Sequence, residues 1–489
     1  MTDLSPLFDP KGVLVAGAST HPGKFGFVVL HNILSCGYRG NVFATNLEGE
    51  SVLGVTTFRD ASELPDDSID LVFVCTPAAA NVELLRTCAK KGARAAFVTS
   101  AGYGETGEEG RRLEQELAAV AAELGMVLAG PNGQGVISTP SSLCAQIVAP
   151  YPPAGRIGIA SQSGNFVSSF QNLARQTGVG VSRSVSVGNA AVLAVPDYFD
   201  YLADDPATAV TLAYVETVTD GRAFYERACA TTARQPLVVL KGGTSDEGRH
   251  AAASHTGALA SDEKVFAGMC RQAGITQAAT LEEAYEAAAT FATQPLPQGP
   301  NVVVITTAGG WGVVAADAIA RSSLHLIPLP ADLRDEIDEL LPPRWSRSNP
   351  VDLAGGETRD TIPLVIEKVA SHPDVHAVLQ IGIGIQSNEA RMMRTGEYYP
   401  DHGLERIVGF HEAQDARYAR VAAEVSAATG KPILVATELA VSDPDNAGPA
   451  AVRDGGRLCY WSANRAVVAL DHLWRYSRFR MRADEGART

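Results

Sequence analysis

The stretch GVLVAGASTHPGKFG, residues 12–26, indicates the fold class of this 489-residue chain. It contains a continuous apolar strand, then a turn of small residues, then the start of a helix. A strand that is apolar on both faces is typical of a parallel sheet covered by helices on both sides. IGIASQSGNFVSS from residue 157 and VVVITTAGGWGVVAA from residue 302 repeat this order. The weak internal repetition predicts an α/β protein of the doubly wound class.

Other short apolar runs alternate with helical stretches rich in Ala, Leu and Glu. The further predicted strands are NVFATN, LVFVCTP, AAFVTSAG, TLAYVET, PLVVLKGG, AVLQIGIG, RIVGFH and KPILVATE. They predict three Rossmann-like or flavodoxin-like domains with parallel sheets. The Pro/Gly stretch at 295–300 is typical of a linker, and a weaker boundary lies near Gly130. The predicted domains are residues 1–129, 130–296 and 299–489.

Composition and charge exclude several functional classes. A formal net charge of −15 argues against nucleic acid or an anionic membrane as the main partner, because both require clustered Lys and Arg. The seven cysteines are scattered without a CxxC pair, which predicts reduced thiols in a cytoplasmic protein and no structural zinc. No apolar run reaches the roughly 18 residues needed to span a bilayer. We therefore expect a soluble cytoplasmic protein without a metal site of its own.

The first glycine turn predicts a nucleotide-like ligand. Small residues let phosphates approach the backbone N–H groups, and a lysine adds a positive charge. The candidate residues are Gly17, Ala18, Ser19, Gly23 and Lys24. NAD is the alternative ligand, although Ser19 replaces the second glycine of GxGxxG. The second strand also ends at Asn46 without the usual acidic residue, but Glu48 lies just beyond, so NAD stays open.

The second and third glycine turns lead into helices that lack a Walker lysine, which an NTP triphosphate normally requires. They suit a smaller anion, such as one phosphoryl group held by helix N-termini. A purely structural role for each turn is the alternative. The candidate phosphate-binding residues are Ser161, Gln162, Ser163 and Gly164 in the second turn, and Ala308, Gly309 and Gly310 in the third.

The stretch KGGTSDEGRHAAASHTGALASDEK, residues 241–264, predicts a mobile loop that presents His255. A histidine can act as a base, a metal ligand or a nucleophile toward phosphorus. Metal binding is disfavoured because no second ligand lies at suitable spacing. A nucleophile would need its other ring nitrogen held by an acceptor, for which Glu216 is the candidate. The alternative is a solvated surface loop whose histidine caps a helix.

The residues together resemble a known family. The motifs lie in one order along the chain: GASTHPGKFG at 17–26, SAGYGETGEEG at 100–110, GPNGQGVIS at 130–138, SQSG at 161–164, SVGN at 186–189, YLADDP at 201–206, SHTGALA at 254–260, TAGGWGV at 307–313 and SNPVDL at 348–353. Each is weak alone, but nine in order are specific. They resemble the ADP-forming acetate–CoA ligase family of the succinyl-CoA synthetase superfamily.

The resemblance implies that the first domain binds CoA and the second carries a phosphohistidine. The implied reaction joins a carboxylate and CoA at the expense of ATP, giving acyl-CoA, ADP and phosphate, reversibly and through an acyl phosphate. His255 matches the phosphorylated residue and Glu216 the carboxylate that orients it. The matching CoA contacts are the turn 17–24 with its five candidate residues, and Asn46, Pro77, Ser100, Ala101 and Gly102.

The resemblance also implies a partner chain. Family members use an ATP-grasp module of about 220 residues to hold ATP and magnesium, and no such nucleotide site is apparent in this sequence. We therefore expect an ATP-grasp subunit, a heterotetramer and a small carboxylic acid as substrate. Trp311 stands where the family usually has Pro, next to the third turn. A CoA-binding regulatory protein of the same fold without catalysis is the alternative.

Overall fold

A computed structural model describes residues 2–148, 150–248, 250, 262–353 and 360–486. The chain forms two compact units. The first comprises Met1–Gln176 and Gly180–Ala288, and the second comprises Thr177–Val179 and Ala289–Thr489. The first unit contains two β-sheets and the second contains one.

The strands of the first unit are β1 Gly12–Ala16, β2 Asn41–Thr45, β3 Leu71–Val74, β4 Ala95–Val98, β5 Val127–Ala129, β6 Gly135–Ser138, β7 Leu143–Gln146, β8 Ala154–Ser161, β9 Val181–Ser186, β10 Val210–Val215, β11 Leu237–Lys241 and β12 Thr276–Ala278. Those of the second unit are β13 Asn301–Thr306, β14 His325–Leu326, β15 Val351–Asp352, β16 Ala377–Ile381, β17 Ile433–Ala436 and β18 Cys459–Tyr460.

The α-helices of the described residues are α1 Ser5–Phe8, α2 Phe25–Ser35, α3 Asn81–Ala89, α4 Glu108–Glu123, α5 Gly164–Thr177, α6 Phe199–Asp204, α7 Gly221–Thr232, α8 Glu263–Ala273, α9 Leu281–Thr293, α10 Gly309–Ala320, α11 Ala331–Asp338, α12 Thr361–Ser371, α13 Ile385–Arg394, α14 Leu404–Thr429, α15 Leu439–Ser442, α16 Ala447–Asp454 and α17 Ala463–Gly486. Short 3₁₀ helices occupy Ala61–Glu63, Ala78–Ala80, Gly104–Thr106 and Val195–Tyr198.

The same strand order occurs in all three sheets. The first sheet has the order β2-β1-β3-β4-β5, the second contains β9-β8-β10-β11-β12, and the third contains β14-β13-β16-β17-β18, all with parallel pairing. Each therefore has the flavodoxin-like order 2-1-3-4-5, and the strand followed by the glycine turn is the first of its set. In such sheets the ligand crevice lies at the carboxyl ends of the strands where the order reverses. The predicted fold class is confirmed.

Strand β1, which lies inside the first sheet between β2 and β3, is covered on both faces. Val13 and Val15 pack into one hydrophobic cluster and Leu14 and Ala16 into another, and all four side chains are fully buried. Successive side chains of a strand point to opposite faces, so one apolar run of this kind requires helices on both sides of the sheet. Burial of both faces of the strand therefore explains the continuous apolar run in the sequence.

Two features differ from the predicted strands. β6 and β7 add an antiparallel pair to the second sheet, and β6 pairs with β9 in the antiparallel sense. RIVGFH at 406–411 is not a strand, because it lies inside α14. The side chains of Val408, Asp415, Tyr418 and Ala422 are buried at helical spacing. Packing of that one face outweighs the β-branched residues, and a short apolar run alone cannot distinguish the two structures.

The predicted domain boundaries are not decided by this architecture. The three sheets are built from residues 12–129, 135–278 and 301–460, and the division between the two compact units falls at residues 288 and 289. Domains of 1–129, 130–296 and 299–489 therefore stay predictions. Within the described residues, no helix is both long enough and apolar enough to cross a bilayer.

Candidate active site

The turn after β1 brings the backbone close to the next helix. Gly17 has a φ of +84°, a conformation that L-residues with a side chain rarely adopt. Its N–H donates to Thr45 Oγ1 at the end of β2, at 3.2 Å. A Cβ on Gly26 of α2 would lie 2.0 Å from the Gly17 carbonyl oxygen, so glycine is required there too. No side chain caps the N-terminus of α2 at Lys24.

The rest of this turn is held by local hydrogen bonds. Ser19 Oγ accepts the His21 N–H at 3.1 Å, and His21 Nδ1 accepts the Gly23 N–H at 3.0 Å. Asn46 Nδ2 donates to the Ala18 carbonyl at 3.0 Å and so connects the end of β2 to the turn. Gly23 and Lys24 are exposed. The turn is thus preformed, with its cation open to a ligand.

Two further predicted segments lie at the same edge of the first sheet. Pro77 follows β3, and Ser100, Ala101 and Gly102 follow β4. Ser100 Oγ donates to the carbonyl of Thr76 at 2.5 Å, which links the two segments. Because the carboxyl ends of parallel strands share one edge, the predicted CoA contacts after β1, β2, β3 and β4 all border one crevice.

A buried amide not identified from the sequence supports this edge. Asn81, the first residue of α3, is fully buried. Its Oδ1 accepts the Thr76 hydroxyl at 2.6 Å, and its Nδ2 donates to the Tyr103 hydroxyl oxygen at 2.7 Å. The segments after β3 and β4 are thereby joined a second time. The signal available in the sequence was a polar residue directly after the run LVFVCTPAAA.

Asn189 of the SVGN motif bridges the first two sheets of the first unit. Its Nδ2 donates to Glu105 Oε2 at 2.6 Å and to Glu114 Oε2 at 2.8 Å. Burial acts to raise the pKa of Glu105, but hydrogen bonds from Asn189 and from the N–H groups of Gly102 and Tyr103 outweigh it and lower the net pKa. Glu105 therefore fixes the predicted CoA segment at Gly102.

The turn after β8 is closed by its own hydroxyl groups. Ser161 is fully buried, and its Oγ accepts the Ser163 N–H at 3.1 Å and donates to the Ser163 carbonyl at 2.7 Å. Gln162 Nε2 donates to the Thr217 carbonyl at 3.3 Å, and its Oε1 accepts the N–H groups of Thr217 and Glu216. A Cβ on Gly164 would lie 2.3 Å from Gln134 Cδ. Gln162 thus connects the turn to Glu216.

Glu216 is held beside this turn at the end of β10. The residue is 8% exposed, and its Oε1 accepts the Tyr214 hydroxyl at 3.2 Å. Burial, with the negative charge of Glu216, raises the pKa of Tyr214, whose ring stacks on Phe166 with centroids 3.9 Å apart. A hydroxyl that stays protonated donates to the carboxylate and keeps it in place.

Lys241, which the sequence interpretation did not select, stabilises the backbone here. Its side chain is buried, and Nζ donates to the Glu216 carbonyl at 2.7 Å and to the Gly242 carbonyl. Burial lowers the pKa of Lys241, while Glu263 and Glu216 act to raise it. Lys241 ends β11, the neighbour of β10, and Gly242 begins the loop predicted to present His255. His255 itself lies outside the described residues.

The turn after β13 in the second unit repeats the hydroxyl closure. Thr306 Oγ1 accepts the Ala308 N–H at 3.0 Å and donates to the Ala308 carbonyl at 2.8 Å. Gly309 and Gly310, which open α10, are exposed. A Cβ on Gly309 would lie 2.5 Å from Asp352 Oδ2, so a carboxylate already faces this helix end. A Cβ on Gly382 would lie 3.0 Å from the Trp311 ring.

The second unit also contains a pocket that the sequence did not reveal. Its volume is about 310 Å³, and it lies between the carboxyl ends of β13 and β16 and the helices α13 and α14. Gln380 Oε1, Gln386 Oε1 and His411 Nδ1 line it without a hydrogen-bond partner. Asp415 also lines it, and burial raises the pKa of this carboxyl although the Ser387 N–H donates to it at 2.6 Å.

Neither a metal cluster nor a disulfide emerges from the described residues. No group of three or more His, Cys, Asp or Glu side chains within them could hold a metal ion. All seven cysteines have free thiols.

Three domain families match the chain and define its class. Residues 11–181 match the CoA binding domain, residues 154–291 the succinyl-CoA ligase like flavodoxin domain, and residues 302–385 the ligase-CoA domain. These matches follow the three sheets in order. The fold and these matches define a protein of the CoA-ligase class.

Relatives identify the family within this class. The chain is 36% identical over 385 residues to the α subunit of ADP-forming acetate–CoA ligase I from Pyrococcus furiosus, which covers 77% of this chain and 82% of the relative. It is 35% identical over 377 residues to the ADP-forming acetate–CoA ligase I of Archaeoglobus fulgidus, of which it covers 54%. The chain belongs to the ADP-forming acetate–CoA ligase family.

A solved structure supports this membership. The dinucleotide forming acetyl-coenzyme A synthetase 1 of Ca. Korarchaeum cryptofilum, in complex with phosphate and ADP, has a TM-score of 0.83 to this chain. The sequences are 28% identical, and the similarity covers 99% of both chains.

Proposed function

We propose that this chain is the CoA-binding, phosphohistidine-carrying subunit of an ADP-forming acyl-CoA ligase in the cytoplasm, with His255 as the phosphorylated residue. The reaction converts a carboxylate, ATP and CoA reversibly into acyl-CoA, ADP and phosphate. The observation that carries this proposal is the placement of Glu216. Its backbone bonds to Gln162 in the turn at 161–164 and to Lys241, which directly precedes the predicted His255 loop, and its buried carboxylate accepts the Tyr214 hydroxyl.

Glu216 makes the imidazole a nucleophile in this proposal. A carboxylate that accepts the N–H of one ring nitrogen leaves the lone pair of the other free to attack phosphorus. The imidazole nitrogen forms a bond to the γ-phosphorus of ATP, and ADP leaves with the electron pair of the broken P–O bond. The resulting phosphoimidazolium keeps its ring N–H, whose positive charge is stabilised by Glu216.

Two further transfers complete the reaction. An oxygen of the substrate carboxylate attacks the phosphorus, which forms an acyl phosphate and returns His255 to neutral imidazole. The thiolate of CoA then attacks the acyl carbon, and phosphate leaves with the electron pair of the C–O bond. Phosphoryl transfer of this kind depends mainly on positioning and on neutralising charge.

The helix ends supply the neutralising groups. Ser161 and Gln162 are already engaged with the backbone of the turn, so we assign them the shape of the site. We assign Ser163, whose own N–H is engaged by Ser161 Oγ, and Gly164, the first residue of α5, to the phosphoryl group, because a helix N-terminus favours negative charge. Ala308, Gly309 and Gly310 provide the second such helix end, and the exposure of both glycines supports this role.

CoA binds at the crevice of the first sheet. We assign its phosphates and ribose to Gly17, Ala18, Ser19, Gly23 and Lys24, and further contacts to Asn46, Pro77, Ser100, Ala101 and Gly102. Three features support this: the exposed Lys24, the open N-terminus of α2, and the match of residues 11–181 to the CoA binding domain.

A partner chain supplies the nucleotide site. The Pyrococcus relative is named as an α subunit, and this chain spans about half of the single-chain Archaeoglobus relative. We propose an ATP-grasp subunit that binds ATP and magnesium, assembled with this chain as a heterotetramer. A small carboxylic acid is the substrate class that the names of the acetate–CoA ligases support.

Labelling tests the mechanism. The chain is mixed with an ATP-grasp partner and radiolabelled ATP, and acid-labile, base-stable phosphate on this chain is measured. We expect label on the wild type and none on His255→Ala. His250→Ala is the matched control, because His250 is an exposed helical residue five positions before His255 and should keep full labelling. Glu216→Gln should slow labelling by about 10- to 100-fold, the range typical for loss of an orienting partner.

The outcomes separate the proposal from its alternative. Label that persists in His255→Ala contradicts the assignment of the nucleophile. A wild type that is never labelled, but whose melting temperature rises with CoA, would identify a CoA-binding regulatory protein instead.

A further inference from the structure

A second cavity of the second unit, with a volume of about 150 Å³, lies at the opposite edge of the sheet from the third glycine turn. Ile433, which begins β17, and Leu458, which directly precedes β18, line it together with Ala422 of α14 and Val452 of α16. The amino ends of parallel strands share one edge, and the glycine turn lies at the carboxyl ends. These four side chains are 1–5% exposed, so the walls of the cavity are apolar.

A guanidinium group lies within these apolar walls. Arg457 lines the cavity and is partly buried, and its Nη2 donates to the Ala423 carbonyl at 3.3 Å. Its Nη1 is buried and has no hydrogen-bond partner among the described residues. Burial lowers the pKa of Arg457, and Tyr460, rather than a carboxylate, acts to raise it. Buried charges in native proteins are normally paired, so this one indicates a counter-anion.

A glycine motif at the end of α16 positions Arg457. The Gly456 N–H donates to the Arg453 carbonyl at 2.9 Å and the Arg457 N–H donates to the Val452 carbonyl at 3.1 Å, with Gly456 at a φ of +67°. These are the two bonds of a Schellman motif, in which the residue at the position of Arg457 usually makes a hydrophobic contact with the helix. An arginine departs from this local rule, and such departures are expected mainly at functional sites.

The lining as a whole is cationic. Arg420 and Glu424 line the cavity from α14, four positions apart, and both are exposed. With Arg457, the lining therefore has two arginines and one carboxylate. Gln294 also lines it, but its Nε2 donates to the Ile433 carbonyl at 3.1 Å and its Oε1 accepts the Ile433 N–H at 3.2 Å. Arg457 is thus the lining side chain with a free buried donor.

The chemistry of the cavity fits a carboxylate that carries a short alkyl chain. The planar guanidinium group matches a carboxylate in shape and charge, and the apolar walls can cover an alkyl chain. A volume of about 150 Å³ is half of the roughly 300 Å³ at the lower end of sites for larger organic molecules, so only a few carbon atoms fit. A multiply charged phosphate would lose more hydration than one guanidinium group can replace.

We propose that this cavity is a binding site for a short-chain carboxylate, which pairs with Arg457 Nη1 and places its alkyl chain against Ile433 and Leu458. The inference goes beyond the proposed function and does not rest on it, since no residue assigned above to CoA, to the phosphoryl group or to catalysis lines this cavity. The bound anion stabilises the second unit by pairing a buried charge.

Thermal shift and calorimetry of the full chain with sodium butyrate test the inference, without nucleotide or partner. Butyramide, which has the same carbon chain and no charge, and sodium chloride at equal concentration are the reference ligands. We expect butyrate to raise the melting temperature more than either of them, because a ligand that binds only the folded state stabilises it. Arg457→Met should weaken butyrate binding by about 10- to 100-fold, the loss typical of a hydrogen bond to a charged group.

Two further variants locate the binding. Arg457→Lys keeps the positive charge but loses the planar donor pair, so it should bind butyrate more weakly than wild type and more tightly than Arg457→Met. Arg453→Met is the matched control in the same helix. Arg453 Nη1 donates to the Pro444 carbonyl at 3.0 Å, its Nη2 pairs with Asp445 at 3.6 Å, and it does not line the cavity. This control should keep the wild-type affinity for butyrate.

The outcomes are distinct from those of the labelling experiment. Equal stabilisation by butyrate and butyramide, equal stabilisation by butyrate and chloride, or an affinity for butyrate that is unchanged in Arg457→Met overturns the inference even if His255 is phosphorylated. If Arg457→Met does not fold, an unchanged affinity in Arg457→Lys overturns it. Butyrate binding that depends on Arg457 supports the site even if no phosphohistidine forms, in which case only the proposed function fails.

Discussion

The turns after β8 and β13 have the same local structure and different surroundings. In each, the hydroxyl of the last strand residue, Ser161 or Thr306, bonds to both backbone groups of the residue two positions later. The next side chain then differs. Gln162 bonds to the backbone around Glu216, whereas Thr307 bonds to the Gly382 carbonyl at 3.2 Å. The shared turn creates an exposed helix end, and its neighbours determine which chemistry can occur there.

The neighbours differ most in buried charge. The first turn is adjacent to a carboxylate and an ammonium group, Glu216 and Lys241, whose backbone and side-chain bonds interlock. The second is adjacent to Asp352, the Trp311 ring and the open pocket of the second unit. A rigid polar environment suits a residue that must be oriented for transfer, and a cavity with unpaired acceptors suits a bound molecule.

The largest expected difference is between two lysines, Lys241 in the first unit and Lys431 in the second. Lys241→Met leaves the carbonyls of Glu216 and Gly242 without their donor, and should lower the free energy of unfolding by about 1–3 kcal/mol per unsatisfied buried group. Lys431→Met in the second unit removes one bond, to the His372 carbonyl, at a half-buried site. It should cost under about 1 kcal/mol, since water can replace the donor.

Chemical denaturation of both variants, followed by hydrogen exchange of each unit, checks this pair. Equal losses of unfolding free energy in the two variants would show that the second unit depends on Lys431 as much as the first depends on Lys241. Labelling of Lys241→Met should also slow, because the Glu216 backbone loses its support, while Lys431→Met should be labelled like the wild type.

A smaller effect is expected from the hydroxyl closures. Ser161→Ala and Thr306→Val each remove one two-way bond to the following backbone, and each should destabilise its unit by about 1 kcal/mol. Similar losses in thermal and chemical unfolding would confirm that the two turns are equivalent as backbone structures. If only one variant is destabilised, the turn in the other variant is held by its neighbours rather than by its hydroxyl bond.

The smallest expected effect is a pH dependence of opposite sign in the two units. The pKa of Glu105 is lowered from 4.5 in the first unit, so it adds stability that is lost as the pH falls below 4.5 through its folded pKa. The pKa of Asp415 is raised from 3.8 in the second unit, so its contribution is lost as the pH rises above 3.8 through its folded pKa.

Melting temperatures of Glu105→Gln and Asp415→Asn between about pH 3.5 and 6.5 measure these contributions. Glu105→Gln should be less stable than wild type at the upper end of this range, and the difference should disappear as the pH falls. The difference should be under about 1 kcal/mol, because this carboxyl is largely exposed. The melting temperature of Asp415→Asn, relative to that of the wild type, should increase as the pH rises. If the melting temperature of a variant changes with pH in parallel with that of the wild type, the carboxyl it replaces does not make the expected contribution to stability.

The fold was predictable because its signals are local. The apolar runs before Gly17, before Ser161 and before Thr306 are buried on both faces of their sheets, and each leads into a helix as predicted. The crevice of the first sheet was also predictable, since parallel strands place their following loops at one edge. The failure at 406–411 shows the limit, because this run with two β-branched residues lies in a helix and only Val408 among its residues is buried.

The supports of the candidate site were not predictable in the same way. Asn189 bonds to Glu105, which lies 84 positions away along the chain, and Gln162 bonds to backbone groups 54 and 55 positions away. Their partners are defined only when strands from different parts of the chain become neighbours. Gln380 did carry a signal, a lone amide within the apolar run AVLQIGIG, but its unpaired oxygen depends on the packing of α13 and α14.

The sequence alone determined the α/β class, the three strand–turn–helix repeats, the motifs of the acetate–CoA ligase family and the residues that border the first crevice. These depend on alternation, small residues and short spacings, which neighbouring residues establish among themselves. The tertiary structure alone decided that Lys241 and Gln162 hold Glu216, that Asn189 fixes Glu105, and that the second unit contains a pocket with unpaired acceptors. Burial and hydrogen-bond partners between distant residues arise only when the whole chain packs.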